Sequence, residues 1–116
     1  MQDAERVYLD GMRRFPAAPE FPFHLGVIYY RAGRVEDGIA MLRRAVDMNQ
    51  QYFDWFSALF TALWEQGRRD EAVEVLRTWV RAHPEDRDGA AFLQQFEESL
   101  RSSPRSVPGD RFPGAR

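Results

Sequence analysis

The 116-residue chain has no cysteine, and every one of its 16 cationic side chains is arginine rather than lysine. Without thiols there is no disulfide framework, no thiolate metal site and no cysteine nucleophile, and the redox compartment stays open. The two histidines, His24 and His83, lie far apart, without the carboxylate-histidine spacing of a metalloenzyme. No glycine-rich phosphate loop follows a strand, and no serine sits in a nucleophile elbow. The expectation is therefore a protein that is not an enzyme and has no cofactor or metal. The longest apolar run, residues 56–63, is broken by Ser57 and Thr61, far short of the about 20 residues a membrane-spanning helix needs. A basic-then-apolar leader is also missing, because Gln2, Asp3, Glu5 and Arg6 make the start polar, which points to the cytoplasm. A net charge of -2 and a pI near 5.7 argue against nucleic acid as a partner. The all-arginine complement suits bidentate anion recognition and equally suits a plain compositional bias.

What is present is an internal repeat. Residues 33–46 return as 67–80 at an offset of 34, pairing Gly33 with Gly67, Arg34 with Arg68, Leu42 with Leu76, Arg43 with Arg77 and Val46 with Val80. Conservative pairs fill the gaps, among them Glu36 with Asp70, Gly38 with Ala72 and Ile39 with Val73.

Helical spacing of apolar residues predicts six helices, over residues 3–14, 20–32, 35–48, 52–66, 70–82 and 86–100. Pro16 and Pro19 stop the first, Gly33 and Gly67 close the second and fourth as left-handed caps, and His83 with Pro84 ends the fifth. Asp70 is the expected N-cap of the fifth helix. Projection at 100° per residue puts Phe56, Leu59, Phe60 and Leu63 on the inner stripe of the fourth helix, with Phe53 and Trp64 at one margin and Trp55 at the other. Residues 102–116, rich in Pro, Gly, Ser and Arg, read as an irregular, locally basic tail.

This pattern resembles the tetratricopeptide repeat (TPR) family, through Leu25, Gly26, Tyr29, Gly38, Leu42 and Ala45 in one unit and Leu59, Leu63, Ala72, Leu76 and Pro84 in the next. Ala4, Tyr8, Gly11 and Pro16 fit a repeat's second helix. The resemblance implies an all-α, right-handed α-solenoid over residues 1–101: a half repeat at 3–15, full repeats at 19–50 and 53–84, and a closing helix at 86–101. Hairpins that cannot shield their own apolar sides stack into one continuous core. Three departures carry consequences. Phe60 replaces a small residue, so the second hairpin is expected to pack wider than the first. Trp79 replaces Ala and is expected against Phe92 or Phe96, or part-exposed. Gln50 replaces the turn proline, which should soften that junction. The first helix, lacking its partner, should expose Val7, Met12 and Phe15.

The family's first helices line a concave face, which here implies a partner-binding groove of Glu20, Phe23, His24, Val27, Tyr30, Arg31, Asp54, Ser57, Ala58, Thr61, Trp64 and Glu65, with Asp88, Phe92, Gln95 and Glu98 as its end wall. Carboxylates mixed with aromatic rings suit another protein's extended segment, one carrying Arg or Lys and an apolar anchor. The alternative is that these are ordinary solvated helix faces, and Trp64, Phe53 and Trp55 either anchor a partner or pack under neighbouring helices. One branch of the family grips chaperone C-termini with Lys, Asn and Arg. Phe23, His24, Val27, Ser57, Ala58 and Thr61 stand at the aligned places, so that clamp is absent. The function implied is an interaction scaffold or an accessory subunit of a larger assembly. Repeats that only present another domain of an enzyme or regulator, or self-association through the open N-terminal edge, are the other readings.

Overall fold

The computed structural model describes residues 2–102. They form six helices, α1 Gln2–Arg14, α2 Glu20–Arg31, α3 Val35–Met48, α4 Phe53–Glu65, α5 Arg69–Ala82 and α6 Arg87–Ser102, and no strand occurs among the described residues. The helix order and turns follow the sequence reading, with ends moved by a residue or two. Helix α6 continues through Ser102, where the irregular tail is expected to start; residues 103–116 lie outside the described residues.

The two repeated glycines show why the hairpins are copies. Gly33 has φ +89° and Gly67 φ +78°, the left-handed region a side chain disfavours. At each, two backbone bonds close the helix end: Gly33 N–H to Tyr30 O and Arg34 N–H to Tyr29 O, then Gly67 N–H to Trp64 O and Arg68 N–H to Leu63 O. This is the Schellman arrangement, repeated one unit later. The following arginine in each case stands at the N-cap of the next helix. Asp70 is thus inside the first turn of α5 rather than its cap, because the glycine closure fixes where the next helix begins.

Packing is tightest in the first hairpin, where α2 and α3 make the most extensive contact of any helix pair. The reason is Gly26 facing Gly38: a Cβ on Gly38 would lie 2.8 Å from Tyr30 N and 2.9 Å from Gly26 O. In the second hairpin Phe60 and Ala72 hold those places and the backbones of α4 and α5 approach less closely. The core runs from Ile39, Leu42 and Val46 through Phe56, Leu59 and Leu63 to Val73, Leu76 and Trp79, and no polar or charged residue is buried in it. Phe60 turns toward α6, meeting Phe92 at 5.9 Å and Phe96 at 4.9 Å between ring centroids.

Trp79 corrects its expected placement. It is buried, against Phe53 and Phe56 of α4, each 5.2 Å away, rather than against Phe92 or Phe96. Its indole N–H donates to Asp86 Oδ2 at 2.8 Å, and Asp86 Oδ1 accepts from Gly89 N–H at 3.0 Å. One carboxylate therefore caps α6 and satisfies the indole. These two bonds, the Gly89 N–H first, hold Asp86 below the usual carboxylate range. At the Gln50 junction the His83 ring stacks on Trp79 with centroids 3.7 Å apart and its Nε2 meets the Gln50 carbonyl, which ties this turn to the end of α5.

The exposed edge consists of Val7 and Leu9 on α1 and Phe15 just after it, 63%, 43% and 59% exposed. Met12 is half-buried instead. Gly11 lets the Phe21 ring sit where a Cβ would be, so α1 docks on α2 by that side, helped by Tyr29 O–H donating to Glu5 at 2.9 Å.

Candidate functional site

Between α2 and α4 runs an open trough of about 590 Å3, lined by Val27, Tyr30 and Arg31 from α2 and by Asp54, Ser57, Ala58, Thr61, Ala62 and Glu65 from α4, with Leu42 of α3 beneath. The lining positions on α4 fall three, four, seven, eight and eleven residues after Asp54, one face of the helix. At 1.5 Å per residue Asp54 and Glu65 stand roughly 16 Å apart along the axis, the length of about five extended residues.

At the Glu65 end, Tyr30 O–H donates to Glu65 Oε1 at 2.7 Å and accepts from Gln66 Nε2 at 3.2 Å. Burial, then the Glu65 carboxylate, pushes the Tyr30 phenol up, so it stays a donor at neutral pH. The lining carries two carboxylates, Asp54 and Glu65, against one cation, Arg31. Its centre is small and apolar, Val27, Ala58 and Ala62 over Leu42.

Of the residues expected in the groove, Val27, Tyr30, Arg31, Asp54, Ser57, Ala58, Thr61 and Glu65 are brought together. Four are not. Glu20 is exposed in the first turn of α2, outside the trough. Phe23 lies flat on Trp55, centroids 4.7 Å apart and planes 9° apart, so the two rings bridge α2 and α4 by covering each other. His24 faces α1, stacked on Tyr8 at 5.1 Å. Trp64 is buried, 9% exposed, stacked with Phe60 at 5.5 Å and edge-on to Phe96 at 4.9 Å, under the Arg69 guanidinium 5.1 Å from its centroid. Helix α6 seals the margin of α4 that the projection left open. The expected end wall also changes: Phe92 turns into the aromatic cluster of Phe53, Phe60 and Phe96, while Gln95 and Glu98 are exposed elsewhere on α6. Leu42 and Ala62, absent from the sequence reading of the groove, form its floor; Leu42 was legible as a repeat match and as part of the apolar face of the third helix.

Most arginines on the second-helix side are engaged internally. Arg68 pairs with Glu71 at 2.9 Å and with Glu36 of the preceding unit at 2.9 Å, Arg43 reaches Glu71 at 2.9 Å, and Arg77 binds Glu97 at 2.8 Å and Glu74 at 3.1 Å. Arg34, the repeat partner of Arg68, covers the Tyr29 ring at 4.1 Å and pairs with Asp37. Hydrogen bonds from Arg68 hold Glu71 below the usual carboxylate range, and bonds from Arg81 and Arg77 do the same for Glu74. Screened pairs of this kind tie unit to unit weakly; they leave these guanidinium groups engaged rather than offered to an anion.

The geometry can now be set beside known proteins. Tetratricopeptide repeat models match residues 29–96 and residues 2–53. A solved structure of the first TPR of Spaghetti (RPAP3), bound to an HSP90 peptide of sequence SRMEEVD, superposes with a TM-score of 0.64 at 20% identity, covering 85% of this chain and 80% of that one. A pentatricopeptide repeat-containing protein of Arabidopsis thaliana is 35% identical over 79 residues, which is 66% of this chain and 8% of the relative. The chain therefore spans less than a tenth of that relative's length. With paired helices recurring every 34 residues, two glycine closures of one geometry and family models spanning both hairpins, this chain belongs to the tetratricopeptide repeat family.

Proposed function

We propose that the chain is a non-catalytic protein-interaction module, a scaffold or an accessory subunit, that holds an extended segment of a partner protein in the α2/α4 trough. The observation that carries this is the trough itself: an apolar floor about five residues long with a carboxylate at each end. A solved structural relative, the TPR of Spaghetti, is bound to a peptide with three acidic residues near its end, SRMEEVD. This trough carries the same sign of charge as that peptide, so its own ligand carries arginine or lysine and sets a small apolar side chain over Leu42. Burial of that side chain supplies affinity, and the carboxylates set register and charge preference.

The test is a partner capture followed by cross-linking and mass spectrometry, repeated with Asp54→Asn and Glu65→Gln together. Both side chains are exposed, so the fold survives. Affinity for the captured partner is expected to fall roughly fivefold to tenfold and to lose much of its salt dependence. Unchanged affinity, or cross-links confined to α3 and α5, would remove the trough from the proposal.

A second reading is favoured by one comparison of positions. Val75 stands two repeat lengths after Val7; it is 6% exposed where Val7 is 63% exposed. The face of α1 that a first helix covers elsewhere is open here, over a concavity that includes Glu5, Val7, Leu9 and Arg13. A second copy meeting this face would be isologous. Light scattering should then show a dimer at micromolar concentration that Val7→Glu with Leu9→Glu dissolves; a monomer throughout that range excludes it.

A further inference from the structure

A second cavity opens on the other side of Asp54, where the N-terminal turns of α4 and α6 meet. Its volume is about 370 Å3, and it is lined by Phe53, Asp86, Asp88, Gly89 and Phe92. Both walls are aromatic: Phe53 and Phe92 are half-buried, their centroids 6.4 Å apart and their planes 72° apart. The lining includes two carboxylates and no cation.

These two carboxylates are not equivalent. Asp86 is committed, one oxygen to the Trp79 indole and the other to the Gly89 amide. Asp88, in the first turn of α6, is exposed. An anion is disfavoured here, because the helix amide at Gly89 is already capped and two negative charges stand at the rim. A purely apolar side chain would fill the walls but leave the rim charge unanswered. A guanidinium group answers both: it is planar and weakly hydrated, lies on an aromatic face and pairs with a carboxylate, while its aliphatic stem covers apolar surface.

We propose that the Phe53/Phe92/Asp88 cavity takes the arginine side chain of a partner peptide, as a subsite beside the trough. This deepens the interaction-module reading and rests on it, yet a free probe reports on the cavity whether or not a partner docks next door. The probe is a blocked arginine, N-acetylarginine methylamide, titrated into the 15N-labelled full chain, with its citrulline, lysine and norleucine counterparts.

The expected result is saturable shifts at the amides of Phe53, Asp88, Gly89 and Phe92. Binding should weaken about fivefold or more for citrulline and about fivefold in Asp88→Asn, and hold in Glu65→Gln, which changes the far end of the trough. Equal binding of norleucine would make the site an apolar slot, and equal binding of lysine would make it a point-charge site; either overturns the assignment. Absent or scattered shifts overturn it too. Shifts that appear only after Arg105, Arg111 and Arg116 are replaced by Gln would place the chain's own tail in the cavity rather than a partner.

Discussion

Replacing Trp64 by alanine is expected to destabilise the chain by about 3–5 kcal/mol, the range for emptying a buried tryptophan site. The indole is stacked on Phe60, edge-on to Phe96 and capped by the Arg69 guanidinium. Its removal opens a cavity between α4 and α6 and strips α6 of a main contact. Urea or thermal unfolding followed by circular dichroism checks it: at about 4–8 °C per kcal/mol for a domain of this order of size, the midpoint should fall by well over 10 °C. Trp64→Phe keeps part of the stack and should lose less. A loss below about 1 kcal/mol would show that the ring does not hold the end of the solenoid. The consequence for function is direct. Loss of partner binding in Trp64→Ala would report an unfolded α6, so the groove has to be tested with Asp54 and Glu65 instead.

Gly38→Ala is the second large effect, and its sign is informative. Inside a helix, alanine is worth about 1 kcal/mol more than glycine by propensity alone. At Gly38 the added Cβ would meet Tyr30 N, Gly26 O and Tyr30 Cβ, all within 2.9 Å. Two of these are backbone atoms that no rotamer change can move, so α2 and α3 must separate. The net cost is expected at about 1–3 kcal/mol, rising further for Gly38→Val. Chemical denaturation of the two variants decides it, and a rise in midpoint for Gly38→Ala would mean that the helices do not approach closely. Because the trough floor is Leu42, one turn further along α3, separation here would also widen the binding surface. A stabilised yet weaker-binding variant is not compatible with this packing.

Much of this was legible in the chain because it is local. The offset of 34, the glycine closures and the apolar stripes follow from backbone conformation and helix periodicity, which neighbouring residues dictate without help from the rest of the fold. The family resemblance, rather than periodicity alone, implied a groove with Val27, Tyr30, Asp54, Ser57, Thr61 and Glu65, and these six line one trough. The same resemblance led to an open edge at Val7, Met12 and Phe15; Val7 and Phe15 are exposed and Met12 is half-buried.

The sequence by itself determined six helices, their register and the faces they bury, since a helix's own spacing sets which side is oily. Only tertiary structure decided which marginal rings are sealed. Trp64 sits at a stripe edge and Trp79 stands where a small residue is usual, so the surroundings of both depend on where α6 and the loop before it come to rest, and Phe23 and Trp55 cover each other only because two helices cross. A wheel projection carries one helix's geometry and no neighbour's. Pairings between residues more than 30 apart, such as Tyr30 with Glu65 or His83 with Gln50, exist only once the hairpins have stacked.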